Sequence, residues 1–193
     1  MADKFEEIVE EMKVYIERDV AAGFSDVDEI VEMGVDMVAD QADAESLRPE
    51  AERLTAEAVE RRLKEQESWS AVTDCDRLDA AFAELEENGI VSRQNFSCCG
   101  TCGQSEMWDE IDTVQGIGKP VRGYTFYHMQ DTESAVEGYG LCFNYGANEE
   151  GEDAALKVAN DIVTALRDHG LKPEWNGSWD KRIQLPIEWK RRR

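Results

Sequence analysis

Apolar residues recur at three- and four-residue steps from the start of the chain. Phe5, Ile8, Val9, Met12, Tyr15, Ile16 and Val20 fall on one face of a helix that Gly23 ends. Ser25 reads as the next N-cap, with Asp26, Asp28 and Glu29 in the first turn, where the helix dipole favours anions. Val27, Ile30, Val31, Val35 and Val38 then line the buried face of a second helix. A third runs from about 47 to 66, with Ser46 as its cap and Pro49 in its first turn. Its apolar stripe is thin: Leu54, Ala58 and Leu63. Residues 1–67 therefore read as a helical extension that needs a surface to dock on.

The pattern changes at Trp69. A helix over 77–88, capped by Asp74 or Asp76, turns Leu78, Ala81, Phe82 and Leu85 inward. Strands are predicted over 90–96, 123–128 and 140–145, with a short helix or turn over 131–137. The best helix of this half spans 152–169, with Ala155, Val158, Ala159, Ile162, Val163 and Leu166 on one face and Gly170 closing it. Strands over 171–175 and 182–189 follow, joined by a hairpin turn at Asn176-Gly177. The stretch 97–119 reads as a long irregular loop, and such loops in compact domains usually carry function or move. The prediction for 68–193 is an α+β domain: a two-layer sandwich of a small, mostly antiparallel sheet with two long helices.

Charge narrows the functions. The 193 residues carry 21 Lys and Arg against 43 Asp and Glu, a net charge of −22. That excludes a general nucleic-acid binder, which needs clustered basic residues, and it excludes docking on an anionic membrane. No apolar run approaches the ~18 residues of a membrane span. The N-terminus is acidic and amphipathic rather than basic and then apolar, so the expected location is the cytoplasm. Residues 1–67 hold 21 acidic and 8 basic side chains, a net of −13. Three readings of the acidity stand: a solvated surface, adaptation to high internal salt, or a face that steers a basic protein partner into contact. The one basic block, Lys190-Arg191-Arg192-Arg193, reads as a frayed, solvated end, or as a tail that folds back on the acidic surface.

The sharpest local feature is Cys98-Cys99-Gly100-Thr101-Cys102-Gly103, which holds three of the five cysteines. A C-x-x-C-G turn aims two thiolates at one tetrahedral metal. Four ligands are needed for zinc, so Cys98, Cys75, His128 or Cys142 must complete the set. Cys98, Cys99, Cys102 and His128 are the candidate metal ligands. Two other readings remain: a reversible disulfide or reactive thiolate, and three reduced thiols packed as small apolar residues. No basic residue or clear helix start stands beside the cysteines to lower a thiol pKa; Arg93 is the nearest candidate.

His128 is one of only two histidines. It could act on Cys99 as a general base oriented by Asp131 or Glu133. The structural alternative has Asp131 or Thr132 capping the short helix while His128 ends the strand. The other histidine, His169, reads as a partner of a helix C-terminus. Gly116-Ile117-Gly118-Lys119 is too short for a phosphate loop, and no G-x-S-x-G elbow occurs. Trp175, Trp179 and Trp189 offer an exposed aromatic recognition surface as one reading, but at least two of them read as core or edge packing.

Several blocks together carry a resemblance. They are Trp69-x-x-Val72-Thr73-Asp74-Cys75-Asp76-Arg77-Leu78, Asn95-Phe96-x-Cys98-Cys99-x-x-Cys102-Gly103, Gly123-Tyr124-x-Phe126-Tyr127-His128-x-Gln130-Asp131-Thr132-Glu133 and Gly170-Leu171-x-x-Glu174-Trp175-Asn176-Gly177. They resemble an uncharacterised bacterial family, common in actinobacteria, that carries a domain-of-unknown-function label. The resemblance implies no activity. Cys142 stands where that family usually has an aromatic, so it is a poor family-wide site residue. At the level of fold alone, the chain is also similar to the acidic protein that regulates a bacterial endoribonuclease.

The sequence thus predicts an acidic, non-enzymatic binding or regulatory protein of the cytoplasm with a candidate zinc site in its cysteine loop. The alternative is a thiol-based redox sensor or enzyme that uses Cys98, Cys99 and Cys102 with His128.

Overall fold

A computed structural model describes residues 2–193. The chain divides into two units, 1–71 with 190–193, and 72–189.

The helical unit is built from α1 (Ala2–Ala22), α2 (Val27–Met37) and α3 (Ala44–Gln66), each packed against the other two. Its caps differ from the sequence reading by a few residues. Asp26, not Ser25, opens α2, in a reciprocal box with Glu29. Asp43, not Ser46, opens α3, so Pro49 falls in the second turn, where its missing N–H costs a helical bond. The three apolar faces meet in one core that includes Met12, Ile16, Val20, Ile30, Val35, Leu47, Leu54 and Ala58. Val27 and Leu63, expected inside, are exposed.

The C-terminal tail is not frayed. Arg193 donates to the carbonyls of Val20 (3.2 Å) and Ser25 (2.6 Å), and Arg192 to that of Ser70 (2.5 Å). The Arg191 guanidinium lies 4.4 Å from the centre of the Phe24 ring. The last turn of α1 leaves carbonyls without helical partners, and the tail's arginine supplies a donor there.

The second unit runs α4 (Asp74–Glu87), β1 (Ile90–Arg93), α5 (Gly100–Gly116), β2 (Gly123–Phe126), α6 (Met129–Val136), β3 (Leu141–Ala147), α7 (Glu152–Asp168) and β4 (Ile183–Leu185). It is an α+β sandwich on a four-stranded mixed sheet, ordered β1-β2-β3-β4. β1 and β2 are parallel; the other two pairings are antiparallel. α4 and α7 pack against each other and on the sheet, as the periodicity predicts. Phe82 of α4 meets Tyr127 and Phe143 with ring centres 6.0 and 5.8 Å apart. Thr73 caps α4 in a box with Asp76, in place of the expected Asp74 or Asp76 cap.

Three further expectations fail. The predicted strand at 171–175 is one isolated bridge, Glu174 to Gln184, and the strand at 182–189 shortens to 183–185. Pro173 and Pro186 lack the N–H that a ladder needs. The larger correction concerns 97–119, which is not an irregular loop: most of it is the helix α5, the crossover between the parallel strands β1 and β2. Met107 and Ile111 of α5 are buried with Val91, Tyr124 and Phe126 on one face of the sheet.

Candidate functional site

The site begins where β1 ends. Asn95 (φ 50°) and Ser97 (φ 61°) both adopt left-handed backbone, which bends the chain sharply after Arg93. The bend is held by the chain that leaves the neighbouring strand β2 and enters α6. Phe96 N–H donates to the Tyr127 carbonyl (2.9 Å), Met129 N–H to the Ser97 carbonyl (3.1 Å), and the Thr132 hydroxyl to Asn95 Oδ1 (2.8 Å). These bonds deliver Cys98 and Cys99 to the start of α5.

Cys99 is the N-cap residue of α5, in extended conformation (φ −155°, ψ 171°). Its carbonyl accepts the first helical bond, from Gly103 N–H at 2.9 Å. Cys102 sits in the first turn. The sulfurs of Cys98, Cys99 and Cys102 all lie within 4.8 Å of one another. Cys98 is exposed, and Cys99 and Cys102 are half-buried.

The electrostatics split the cluster. The first turn has no oxygen side chain as its cap, and its Thr101 and Cys102 amides face the Cys99 sulfur instead. The N–H of Cys102, its thiol and the N–H of Thr101 stabilise negative charge on Cys99 and hold its pKa below the ordinary thiol value. Cys102 is pushed up to about 11, because its proton is held in hydrogen bonds to the Cys98 and Cys99 sulfurs and their charge opposes a second anion. No helix start is legible here from local pattern; the fold supplies one. Arg93 is not the cation that acts on the thiols: it is engaged by Glu110 (2.7 Å) and Glu86 (2.5 Å).

His128 stands outside the three-sulfur cluster. It caps α6 itself, the role expected of Asp131 or Thr132. Its Nδ1 accepts from Asp131 N–H (3.2 Å), and Asp131 Oδ2 accepts from His128 N–H (3.1 Å). With Nδ1 as an acceptor, the neutral ring carries its proton on Nε2, which lies 3.1 Å from Asp131 Oδ2. Neither ring nitrogen therefore has a lone pair free. Burial, aided by the Arg182 charge and opposed by Asp131, lowers the His128 pKa and favours that neutral form. The ring is nonetheless a near neighbour of the cysteines: a Cβ added at Gly100 would lie 3.6 Å from Nε2.

Asp131 is buried and also accepts from Arg182 Nη2 at 2.5 Å. Arg182 bonds the Cys142 carbonyl as well. No local motif links residues 131 and 182, so the sequence reading missed Arg182. Cys75 is buried in α4 and Cys142 half-buried in β3; neither belongs to the cluster. Burial pushes the Cys142 thiol pKa up. Of the three late tryptophans, Trp189 is buried, Trp175 is half-buried against Tyr145, and Trp179 is exposed. His169 Nε2 lies 2.9 Å from Glu84. Among the described residues no helix is long and apolar enough to cross a membrane.

Fold and site define an α+β protein with three clustered thiols at a helix N-terminus, a donor set able to hold a metal ion. The chain belongs to the family described as domain of unknown function DUF6891, whose model matches residues 5–193. Neither the curated proteins nor the solved structures contain a match.

Proposed function

We propose that this is an acidic binding protein whose cysteine cluster holds one soft metal ion, zinc being the expected one. The carrying observation is the mutual approach of the Cys98, Cys99 and Cys102 sulfurs to within 4.8 Å. Thiolates are the ligands that soft and borderline metals select. The helix N-terminus offsets part of the repulsion among the sulfur anions, and the metal's own charge offsets the rest. His128 is committed to capping α6, so the fourth position of a tetrahedral ion falls to water or to a donor from a partner, on the open side where Cys98 is exposed. The net charge of −22 makes a basic protein the natural partner, recruited by steering and held less well as salt rises.

Elemental analysis of protein purified without a histidine tag tests the metal reading. About one zinc per chain is expected, falling to background in Cys99→Ser and Cys102→Ser and persisting in His128→Asn. A folded protein without metal that also fails to take up added zinc would overturn it. The partner reading is tested by pull-down at low and high salt; absence of any salt-sensitive basic partner counts against it.

A further inference from the structure

We infer that Cys99 and Cys102 are a dithiol–disulfide exchange pair: Cys99 attacks a small disulfide, Cys102 resolves the product, and oxidation thereby removes two of the three metal ligands. The exchange itself needs no metal; the regulatory consequence rests on the metal reading above.

Position carries the inference. Cys99-Gly100-Thr101-Cys102 occupies the first turn of α5, the crossover helix between the parallel strands β1 and β2. A C-x-x-C placed at the start of a βαβ helix is the arrangement in which one thiol faces the unpartnered amides and the other lies within reach to resolve. Here the N-cap position belongs to Cys99. Cys98 is the most exposed of the three but lies outside the helix, and Cys102 lies inside the turn. One turn of helix separates residues 99 and 102, and their sulfurs are already within 4.8 Å, so closure asks for side-chain rotation rather than rearrangement of the backbone. Neither Cys75 nor Cys142 is in the cluster to compete.

The chemistry balances in two steps. The Cys99 thiolate attacks one sulfur of a disulfide RSSR, forming a Cys99–SR bond and releasing RS⁻. The Cys102 thiol gives its proton to the released thiolate and attacks Cys99 Sγ, forming the Cys99–Cys102 bond and releasing the second RS⁻, which takes a proton from solvent. A proton left by the initial ionisation of Cys99 completes the account. Two electrons pass from the protein to RSSR, which leaves as two RSH. The acidic chain disfavours anionic disulfides, so the substrate class is a small neutral or cationic disulfide.

The test uses the full chain, reduced and stripped of metal, with limiting hydroxyethyl disulfide; thiols are then blocked and mapped by mass spectrometry. A Cys99–Cys102 bridge and two mercaptoethanol released per chain are expected. Cys102→Ser should trap the adduct on Cys99. Cys99→Ser should slow the reaction at least tenfold, and Cys98→Ser should still close the bridge. A first adduct on Cys98, or a bridge that uses Cys98 alone with either partner, overturns the assignment. Circular dichroism checks that the variants fold. If they do not, limiting iodoacetamide on the native chain decides instead: Cys99 labelled first supports the pair, and Cys98 labelled first overturns it. A zinc-loaded sample read with a chromophoric indicator should release one zinc per bridge formed. Bridge formation in a protein that never retained zinc would remove the regulatory clause and leave the exchange standing.

Discussion

Gly103 and the ring of Phe126 touch so closely that a Cβ at residue 103 would lie 2.5 Å from Phe126 Cε2. The glycine after Cys102 is therefore what lets the first turn of α5 lie flat on β2. Phe126 is fully buried and cannot retreat without disturbing its neighbours Phe96 and Tyr124.

The first prediction follows from that contact. Gly103→Ala should destabilise the protein by about 1–3 kcal/mol, the usual cost of overpacking, despite alanine's better helix propensity. The same change at Gly116, where nothing lies within 4 Å, should be neutral or mildly stabilising. Urea denaturation of the two variants side by side checks this. Equal midpoints would show that the α5–β2 contact has room for a methyl group at residue 103.

His128 should matter as a cap. His128→Ala removes the acceptor for Asp131 N–H and should cost about 0.5–2 kcal/mol, whereas His128→Asn, a good N-cap, should recover most of it. Chemical denaturation gives the comparison. Equal loss in both variants would assign the effect to the buried ring instead of the cap.

The same residue sets a pH dependence. Its folded pKa is depressed, chiefly by burial, below the ordinary histidine value of ~6.5, so the unfolded chain binds the proton more readily. Stability from this group is complete above about pH 6.5 and is lost as pH falls from there through the folded pKa. A decline in unfolding free energy beginning near pH 6.5, absent in His128→Asn, is expected. A profile unchanged by the substitution would assign the acid sensitivity to other groups.

Metal binding should appear as linkage. Free zinc at 100 times its dissociation constant should raise the unfolding free energy by about 2.7 kcal/mol, and a chelator should remove that increment. Cys102→Ser should lose the response, and Cys142→Ser should keep it, because Cys142 is outside the cluster. Thermal melts with and without zinc read both.

The tail is the last of these. Deleting 190–193 removes the Arg193 bonds to the Val20 and Ser25 carbonyls and the Arg191 contact with Phe24. Faster amide exchange at the C-terminal end of α1 and at the start of α2 is expected, with a loss of about 1–3 kcal/mol locally. Unchanged exchange there would mean that the tail contributes little.

Much was legible from local pattern. The 3.6-residue spacing of Leu78, Ala81, Phe82 and Leu85, and that of Ala155 to Leu166, predicted α4 and α7 because each helix buries one face and the sequence must repeat accordingly. The cysteine spacing named the three residues that the fold brings together. α5 was hidden because two glycines in its first turn lower helix propensity, although Gly103, Met107 and Ile111 already recur four residues apart. The tertiary structure alone decided that Cys99 begins a helix and that Asp131 meets Arg182; the His128 cap on α6 is local, made with Asp131 three residues on, but histidine is an uncommon N-cap. The other two depend on partners far along the chain: Gly103 on Phe126, Ser97 on Met129, Asp131 on a residue 51 positions away. Periodicity records which face is buried; it carries no information on which remote residue buries it, and that choice is made by packing.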